Sequence, residues 1–282
     1  MVKAKSEYLI IAQISDLHLR MDGELYSGAA NTHDALDVCL RSITSLTPKV
    51  DLLLVTGDLA DYPDPRAYAH LRIALDAINI PYIITPGNHD DRAMVFEAFH
   101  DLGHYSDSSE FIQFTVETFP LRFVALDSLN AETGFATMCP KRLNWLADCL
   151  AEQPDRPTLV LMHHQPVFTR MAYASKYAFP GAKELERIIS EYPNIVGLVC
   201  GHLHRPIHVA WAKTMVSIAP SVAMQHTLTL DNDMPKELNN EPIAYPVYLW
   251  EQDSGLICHL NFVGDFGPPY PLVDLPPRED LA

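Results

Sequence analysis

Tyr8-Leu-Ile-Ile-Ala-Gln-Ile-Ser-Asp16-Leu-His18 is the stretch on which the fold turns. An apolar, β-branched run of strand length ends in a carboxylate and an imidazole placed two residues apart. In an extended chain such residues point to the same side, so Asp16 and His18 can reach one point in space. The same event recurs four times. Asp51–Thr56 runs into Gly57-Asp58, and Pro81–Thr85 into Gly87-Asn88-His89-Asp90. Thr158–Met162 runs into His163-His164, and Ile195–Cys200 into Gly201-His202-Leu203-His204. In open α/β sheets ligands bind at the carboxyl ends of the strands, which is where all five clusters sit. Gly57, Gly87 and Gly201 allow sharp turns where the side chains must converge.

Working outward, further strands are expected at Phe111–Val116, Leu121–Asp127, Thr214–Ile218, Tyr245–Glu251 and Gly255–Phe262. Helical stripes lie between them. One is Leu36, Leu40, Ile43 and Leu46; another is Tyr68, Leu71, Leu75 and Ile78, opened by Asp64-Pro65. Pro140 opens a third with Leu143, Leu146 and Leu150, and Leu185, Ile188, Ile189 and Tyr192 mark a fourth. Strand–helix alternation in the first half predicts parallel pairing with helices outside, and the strand-rich second half predicts a mixed sheet. The class is α/β in a single domain over 1–263. The polar, acidic stretch Gln225–Pro246 reads as a long loop bordering the active site, and 264–282 as a proline-rich tail.

The residue types identify the ligand. Carboxylate, imidazole and carboxamide, with no thiolate, suit Mn²⁺, Fe, Co²⁺ or Zn²⁺. Asp16, His18, Asp58, Asn88, His163, His202 and His204 are too many groups for one tetrahedral ion, but they suit two ions sharing a carboxylate. Two such ions can clamp the attacking and leaving oxygens of a phosphoryl transfer. They would also leave the centre net positive, which favours a phosphodiester anion over a neutral substrate. Singly, each strand-end Asp or His is more often a cap, and Gly-Asn-His-Asp a simple turn. Together and in this order the metal-site reading prevails.

Asp16-x-His18, Gly57-Asp58, Gly87-Asn88-His89-Asp90, His163 and Gly201-His202-x-His204 resemble the signature of the calcineurin-like metallophosphoesterases over about residues 8–220. The resemblance implies a four-layer αββα sandwich, two mixed β-sheets flanked by helices, with a dimetal site at the strand ends. It implies Asp16, His18 and His204 on one metal, Asn88, His163 and His202 on the other, and Asp58 between them. His164 is then expected to support a ligand or face substrate. Gly-Asn-His-Asp-Asp-Arg (87–92) and Met-His-His-x-Pro (162–166) look like the bacterial class III cyclic-nucleotide phosphodiesterases and glycerophosphodiesterases. Gln165 departs from that subgroup's usual proline. Protein phosphatases carry Gly-Asn-His-Glu, and this chain has Asp90 instead.

The expected chemistry is hydrolysis of a small phosphodiester by a hydroxide held between the ions, with His89 as the catalytic acid or oxyanion stabiliser. Asp90 is expected to orient a histidine, and Asp127 either gives such support or forms a plain turn. Arg20, Tyr26, Arg92 and above all Arg205 are candidates to touch substrate. A phosphomonoesterase would use the same metals, and so would a nuclease. However, 36 acidic against 20 basic residues, a formal charge of −16, weigh against a nucleic-acid polymer. A non-catalytic scaffold would need broken ligands, and all seven are present. A homo-oligomer is compatible with the resemblance.

The five cysteines are odd in number, scattered and without a CxxC pair, as expected of a reduced cytoplasmic protein. No apolar run reaches membrane-spanning length. Residues 1–14 have the superficial look of a signal peptide, yet the apolar run is short, lacks a cleavage site and leads directly into Asp16.

Overall fold

The structure, a computed structural model, describes residues 8–105, 110–171, 178–231 and 233–271. Most of the tail expected from 264 onwards therefore lies outside the described residues. Strands β1 (Leu9–Ile14), β2 (Leu52–Thr56) and β3 (Tyr82–Thr85) pair in parallel. β12 (Ala244–Glu251) and β13 (Gly255–Phe262) add an antiparallel flank, in the order β13-β12-β1-β2-β3. A second sheet runs β4-β5-β6-β7-β9-β8, from β4 (Phe114–Val116), β5 (Arg122–Ala125), β6 (Thr158–Leu161), β7 (Ile195–Cys200), β8 (Ile207–Trp211) and β9 (Thr214–Ile218). Its inner strands β5, β6, β7 and β9 are parallel, and both edges are antiparallel.

Burial follows from alternation along these strands. On the second sheet Phe123, Ala125, Leu159, Leu161 and Val199 join the core shared with the first sheet. Their neighbours Val124, Leu126, Val160, Met162, Leu198 and Cys200 pack instead with α4 (Pro140–Glu152) and α5 (Ala182–Ser190). Helices α1 (Thr32–Ser45), α2 (Pro65–Ala77) and α3 (Arg92–Phe99) cover the first sheet through Leu36, Ile43, Leu71, Leu75, Val95 and Phe99. The result is the expected four-layer αββα sandwich. Asp64 caps α2 by accepting from Arg66 N at 2.9 Å, with Pro65 in the first turn.

Four local expectations change. The strand expected from Phe111 begins at Phe114, because Ile112 N donates to the Asp127 carboxylate (3.0 Å) rather than to a neighbouring strand. β8 is an unforeseen edge strand. It turns into β9 through Ala212 and Lys213, both in the left-handed region (φ 49° and 64°), a primed turn made without the usual Asn-Gly. α3 is also unforeseen, since only Val95 and Phe99 of its eight residues are buried. Gln225–Pro246 is not simply a loop. β10 (Gln225–His226) pairs with β11 (Leu238–Asn239), and the last three residues of the stretch already belong to β12.

Behind the strand ends the two sheets are tied by one buried amide. Gln13 Nε2 donates to Thr56 Oγ1 (2.8 Å) in the first sheet and to the Cys200 carbonyl (2.9 Å) in the second. Its Oε1 accepts from Tyr248 Oη (2.8 Å), which also meets Ser217 Oγ at 2.9 Å. Replacing Gln13 by Leu strands these buried partners. Urea unfolding should show a loss of about 2 kcal/mol or more with an unchanged m-value; a neutral substitution would mean that the link carries no stability.

Candidate metal centre

All seven expected ligands stand at the carboxyl ends of parallel strands, on tight turns. Asp16, His18, Asp58, His202 and His204 adopt φ between 43° and 73°. Left-handed backbone is uncommon for non-glycine residues and costs about 1 kcal/mol or more at each position. Such concentrated strain is characteristic of a functional site, and it lets adjacent residues aim inward in succession.

The first group is Asp16, His18, Asp58 and His204, all buried, with their ligand atoms within 4.8 Å of one another. His18 Nε2 lies 3.0 Å from His204 Nε2 and 3.7 Å from Asp58 Oδ2, and His204 Nε2 lies 3.5 Å from Asp16 Oδ1. The second group brings His163 and His202 together with His164. His163 Nε2 meets Asn88 Oδ1 at 3.1 Å and Asp58 Oδ2 at 3.3 Å. Asp58 Oδ2 thus faces one imidazole of each group.

The surrounding hydrogen bonds fix which ring atoms face inward. His204 Nδ1 donates to the Met224 carbonyl (2.7 Å) and His163 Nδ1 to the Thr56 carbonyl (2.8 Å). Each ring therefore turns Nε2 to the centre, as metal-bound histidines do. There the inward atoms are carboxylate oxygens, a carboxamide oxygen and imidazole nitrogens. They are rich in lone pairs and poor in protons, so the donor set fits a pair of cations.

Electrostatics express the same crowding. Burial pushes Asp16 up to about 6 despite nearby His163. Burial also opposes charge on Asp58, but His163, His89 and His18 outweigh it and hold its carboxyl well below the usual range. His163 is lifted to about 9, since Asp58 and Asp16 overcome its burial. Burial and then neighbouring imidazoles drive His202 down to about 3, and push His164 and His204 down as well.

His89 sits at the edge of the centre. Its backbone N–H donates to Asp58 Oδ1 (2.9 Å), and its Nδ1 donates to the Asp61 carbonyl at 2.8 Å. Burial disfavours its charge, yet the Asp61 hydrogen bond and Asp58 raise it to about 10. Asp61 went unnoticed in the sequence, although it follows Asp58 by three in the same loop. Its Oδ1 lies 3.4 Å from His18 Nδ1 and 3.5 Å from His89 Nδ1, and Arg20 Nη1 binds its Oδ2 at 2.6 Å.

Other expectations are redirected. Asp90 orients no histidine; it accepts from Leu59 N, Ala60 N, Gly87 N (2.8 Å) and the Tyr68 hydroxyl, which fixes the two ligand-bearing loops. Asp127 is fully buried and binds Arg92 Nε at 2.6 Å and Nη2 at 2.9 Å, so both serve the framework. Arg205 Nη1 donates to the His226 carbonyl (2.7 Å) and to Glu241 (2.9 Å), which ties it to the 225–246 segment. His226 from that segment lies 4.7 Å from the His204 ring, and Tyr26 stacks on His18 at 4.4 Å. His164 Nδ1 meets Ser128 Oγ at 2.8 Å.

Comparison with known proteins shows the family and the fold. The family model described as calcineurin-like phosphoesterase matches residues 9–206. A probable glycerophosphodiester phosphodiesterase of Arcobacter nitrofigilis is 30% identical over 93% of this chain and 96% of its own length. A 3',5'-cyclic adenosine monophosphate phosphodiesterase of Escherichia coli is 28% identical over 80% of this chain and 82% of its own. Among solved structures, a dimetal phosphatase from Danio rerio shares the fold at a TM-score of 0.66. It is 14% identical, with 91% of this chain and 99% of that one covered.

Two glycines make the convergence possible. A Cβ on Gly87 would lie 2.2 Å from Asp58 Oδ1, and one on Gly201 would lie 1.8 Å from Ser15 Oγ. Gly87→Ala should therefore keep the far-ultraviolet circular dichroism of the native chain but displace Asp58. Elemental analysis after dialysis should then find less than half the metal of the unsubstituted chain; full retention would show that Asp58 does not need its present position.

Proposed function

The chain belongs to the calcineurin-like phosphoesterases, and on that premise we propose that it hydrolyses small phosphodiesters at a pair of divalent metal ions. Asp16, His18 and His204 would hold one ion, Asn88, His163 and His202 the other, and Asp58 would serve both. The observation that carries this reading is the position of Asp58 Oδ2, 3.7 Å from His18 Nε2 and 3.3 Å from His163 Nε2. The nitrogen and oxygen donor set, free of thiolate, suits Mn²⁺, iron, Co²⁺ or Zn²⁺. When bound, such a pair supplies Lewis acidity, water of lowered pKa and a template for in-line displacement.

The chain's own groups do the rest. The bond from phosphorus to one ester oxygen breaks as a bond from phosphorus to the water oxygen forms. One water proton passes to solvent as the attacking hydroxide forms, and the departing alkoxide takes up a proton to leave as the alcohol. His89 is the group that supplies that proton or stabilises the equatorial oxygens. Its Nδ1–H is committed to Asp61, so Nε2 is the atom turned to the reacting group. Asp61 keeps the imidazole charged and oriented, and Arg20 in turn anchors Asp61. The names of the relatives, which act on glycerophosphodiesters and cyclic nucleotides, favour a diester over a monoester. The charge of −16 weighs against a nucleic-acid polymer. Five unpaired cysteines, three of them buried, suit a reducing compartment such as the cytoplasm. Among the described residues no helix is long and apolar enough to cross a membrane.

With Mn²⁺ present, bis-p-nitrophenyl phosphate should be cleaved faster than p-nitrophenyl phosphate, and EDTA should abolish both activities. Preference for the monoester would reassign the chain to the phosphatases. His89→Ala should lower kcat by about 100-fold or more while metal content stays constant. Parallel loss of metal would instead make His89 a structural group.

A further inference from the structure

Helices α1 and α2 meet the edge of the centre through a pair of histidines that the chemistry above does not use. His33 Nδ1 lies 3.0 Å from His70 Nε2, with the rings edge-on at 4.3 Å, and His33 Nε2 lies 2.7 Å from the Arg20 carbonyl oxygen. A carbonyl can only accept, so His33 Nε2 carries the proton in that bond. A neutral imidazole that donates from Nε2 is bare at Nδ1, and His70 Nε2–H donates to it. Burial and then His33 push His70 down, which keeps that ring neutral. The hydrogen bonds therefore run in one direction, from His70 through His33 to the backbone of Arg20.

Thr32 and His33 open α1 and hold Arg20 by both of its backbone polar groups. Thr32 Oγ1 accepts from Arg20 N at 3.1 Å, while His33 donates to the carbonyl. Asn31 caps the same turn, its Oδ1 accepting from His33 N at 3.2 Å. The loop from Arg20 to Asn31, which lays Tyr26 on the His18 ring, is thus closed against the helix that follows it. The Arg20 side chain starts from this clamped backbone. Its Nη1 binds Asp61 Oδ2 at 2.6 Å, and its guanidinium lies 5.0 Å from the Tyr62 ring. Asp61 Oδ1 in turn faces His89 Nδ1 at 3.5 Å. A shift of the Arg20 backbone therefore moves the carboxylate that orients His89.

We propose that the His70–His33 pair is a positioning latch for the reaction: through the Arg20 backbone it sets the Asp61 carboxylate against His89. This rests on the role given to His89 above and extends it to residues that touch neither metal nor substrate. Two helices suit the task, because Leu36, Ile43, Leu71 and Leu75 pack α1 and α2 into the core and so fix where the two imidazoles stand. Arg20 alone has a long side chain with much rotamer freedom, and a clamped backbone removes part of that freedom before substrate arrives.

The test follows kcat, KM and bound metal in the full chain, with Mn²⁺ and bis-p-nitrophenyl phosphate. His33→Ala should lower kcat by about tenfold while KM and metal content stay constant. His33→Gln, whose amide can donate from the place of Nε2, should recover most of the lost rate. His70→Phe keeps a ring beside His33 but has no N–H, and should lower kcat by a smaller factor. A double-mutant cycle separates positioning from general support: in a His89→Ala chain neither substitution should lower kcat further, because both act through His89. Full kcat in both His33→Ala and His70→Phe would overturn the proposal. So would a loss that persists undiminished in the His89→Ala chain, a His33→Gln chain as slow as His33→Ala, or loss of metal in step with rate. If His33→Ala does not fold, His70→Phe carries the same cycle. A His89→Ala chain with full kcat would remove the role of His89 and the latch with it. Cleavage of p-nitrophenyl phosphate but of no diester would instead remove the phosphodiesterase reading, and the cycle then runs on the monoester.

Discussion

Everything in this structure answers to the crowding of lone pairs around Asp58. Two carboxylates, a carboxamide and four imidazoles would ordinarily separate or take up protons, yet here His18 and His204 approach to 3.0 Å at their Nε2 atoms. Burial makes that arrangement more demanding, because charge and unpaired polar atoms are poorly tolerated away from water. A pair of cations would relieve it, and the opposed shifts of Asp58 and Asp16, one down and one up, follow from the same crowding of buried charge.

The rest of the molecule holds those groups against their mutual repulsion. Asp16, His18, Asp58 and Asn88 follow strands of the first sheet, whereas His163, His202 and His204 follow strands of the second. The centre therefore straddles the junction, and its dimensions depend on how the sheets are locked. Gln13 supplies a polar lock through Thr56 and Cys200, and Gly197 permits close approach, since a Cβ there would lie 3.1 Å from both Leu159 and Leu256 side-chain carbons. Asp90 joins the loops after β2 and β3, while His202 N donates to both oxygens of Asp16 at 3.0 Å, joining the halves again. A chain that invests this many buried hydrogen bonds in inward-facing donors is built for rigidity at the centre, which is what electrostatic catalysis requires.

Much of this was legible in the sequence because the strands are apolar and end abruptly in Asp, Asn and His. Period-two spacing foresaw that Asp16 and His18 share one group, but the left-handed turns that carry these residues send His202 and His204 into different groups. What escaped has identifiable causes. Asp61 looks like an ordinary loop carboxylate, and only the turn after β2 brings it to His18 and His89. The β8–β9 turn is built from Ala212 and Lys213, which carry no turn signature. Arg92 and Arg205 are near the motifs in sequence but are drawn off by Asp127 and Glu241, partners too distant along the chain to be foreseen. The polar 225–246 stretch concealed a short ladder, because two-residue strands leave no periodicity to detect.

The central claim is that two ions share Asp58, and anomalous diffraction from a crystal grown with Mn²⁺ tests it most directly. The account predicts two peaks about 3.5–4 Å apart, one on each side of the Asp58 carboxylate. One should be ringed by Asp16, His18 and His204, and the other by Asn88, His163 and His202. A single peak, or a pair that does not contact Asp58, would contradict it.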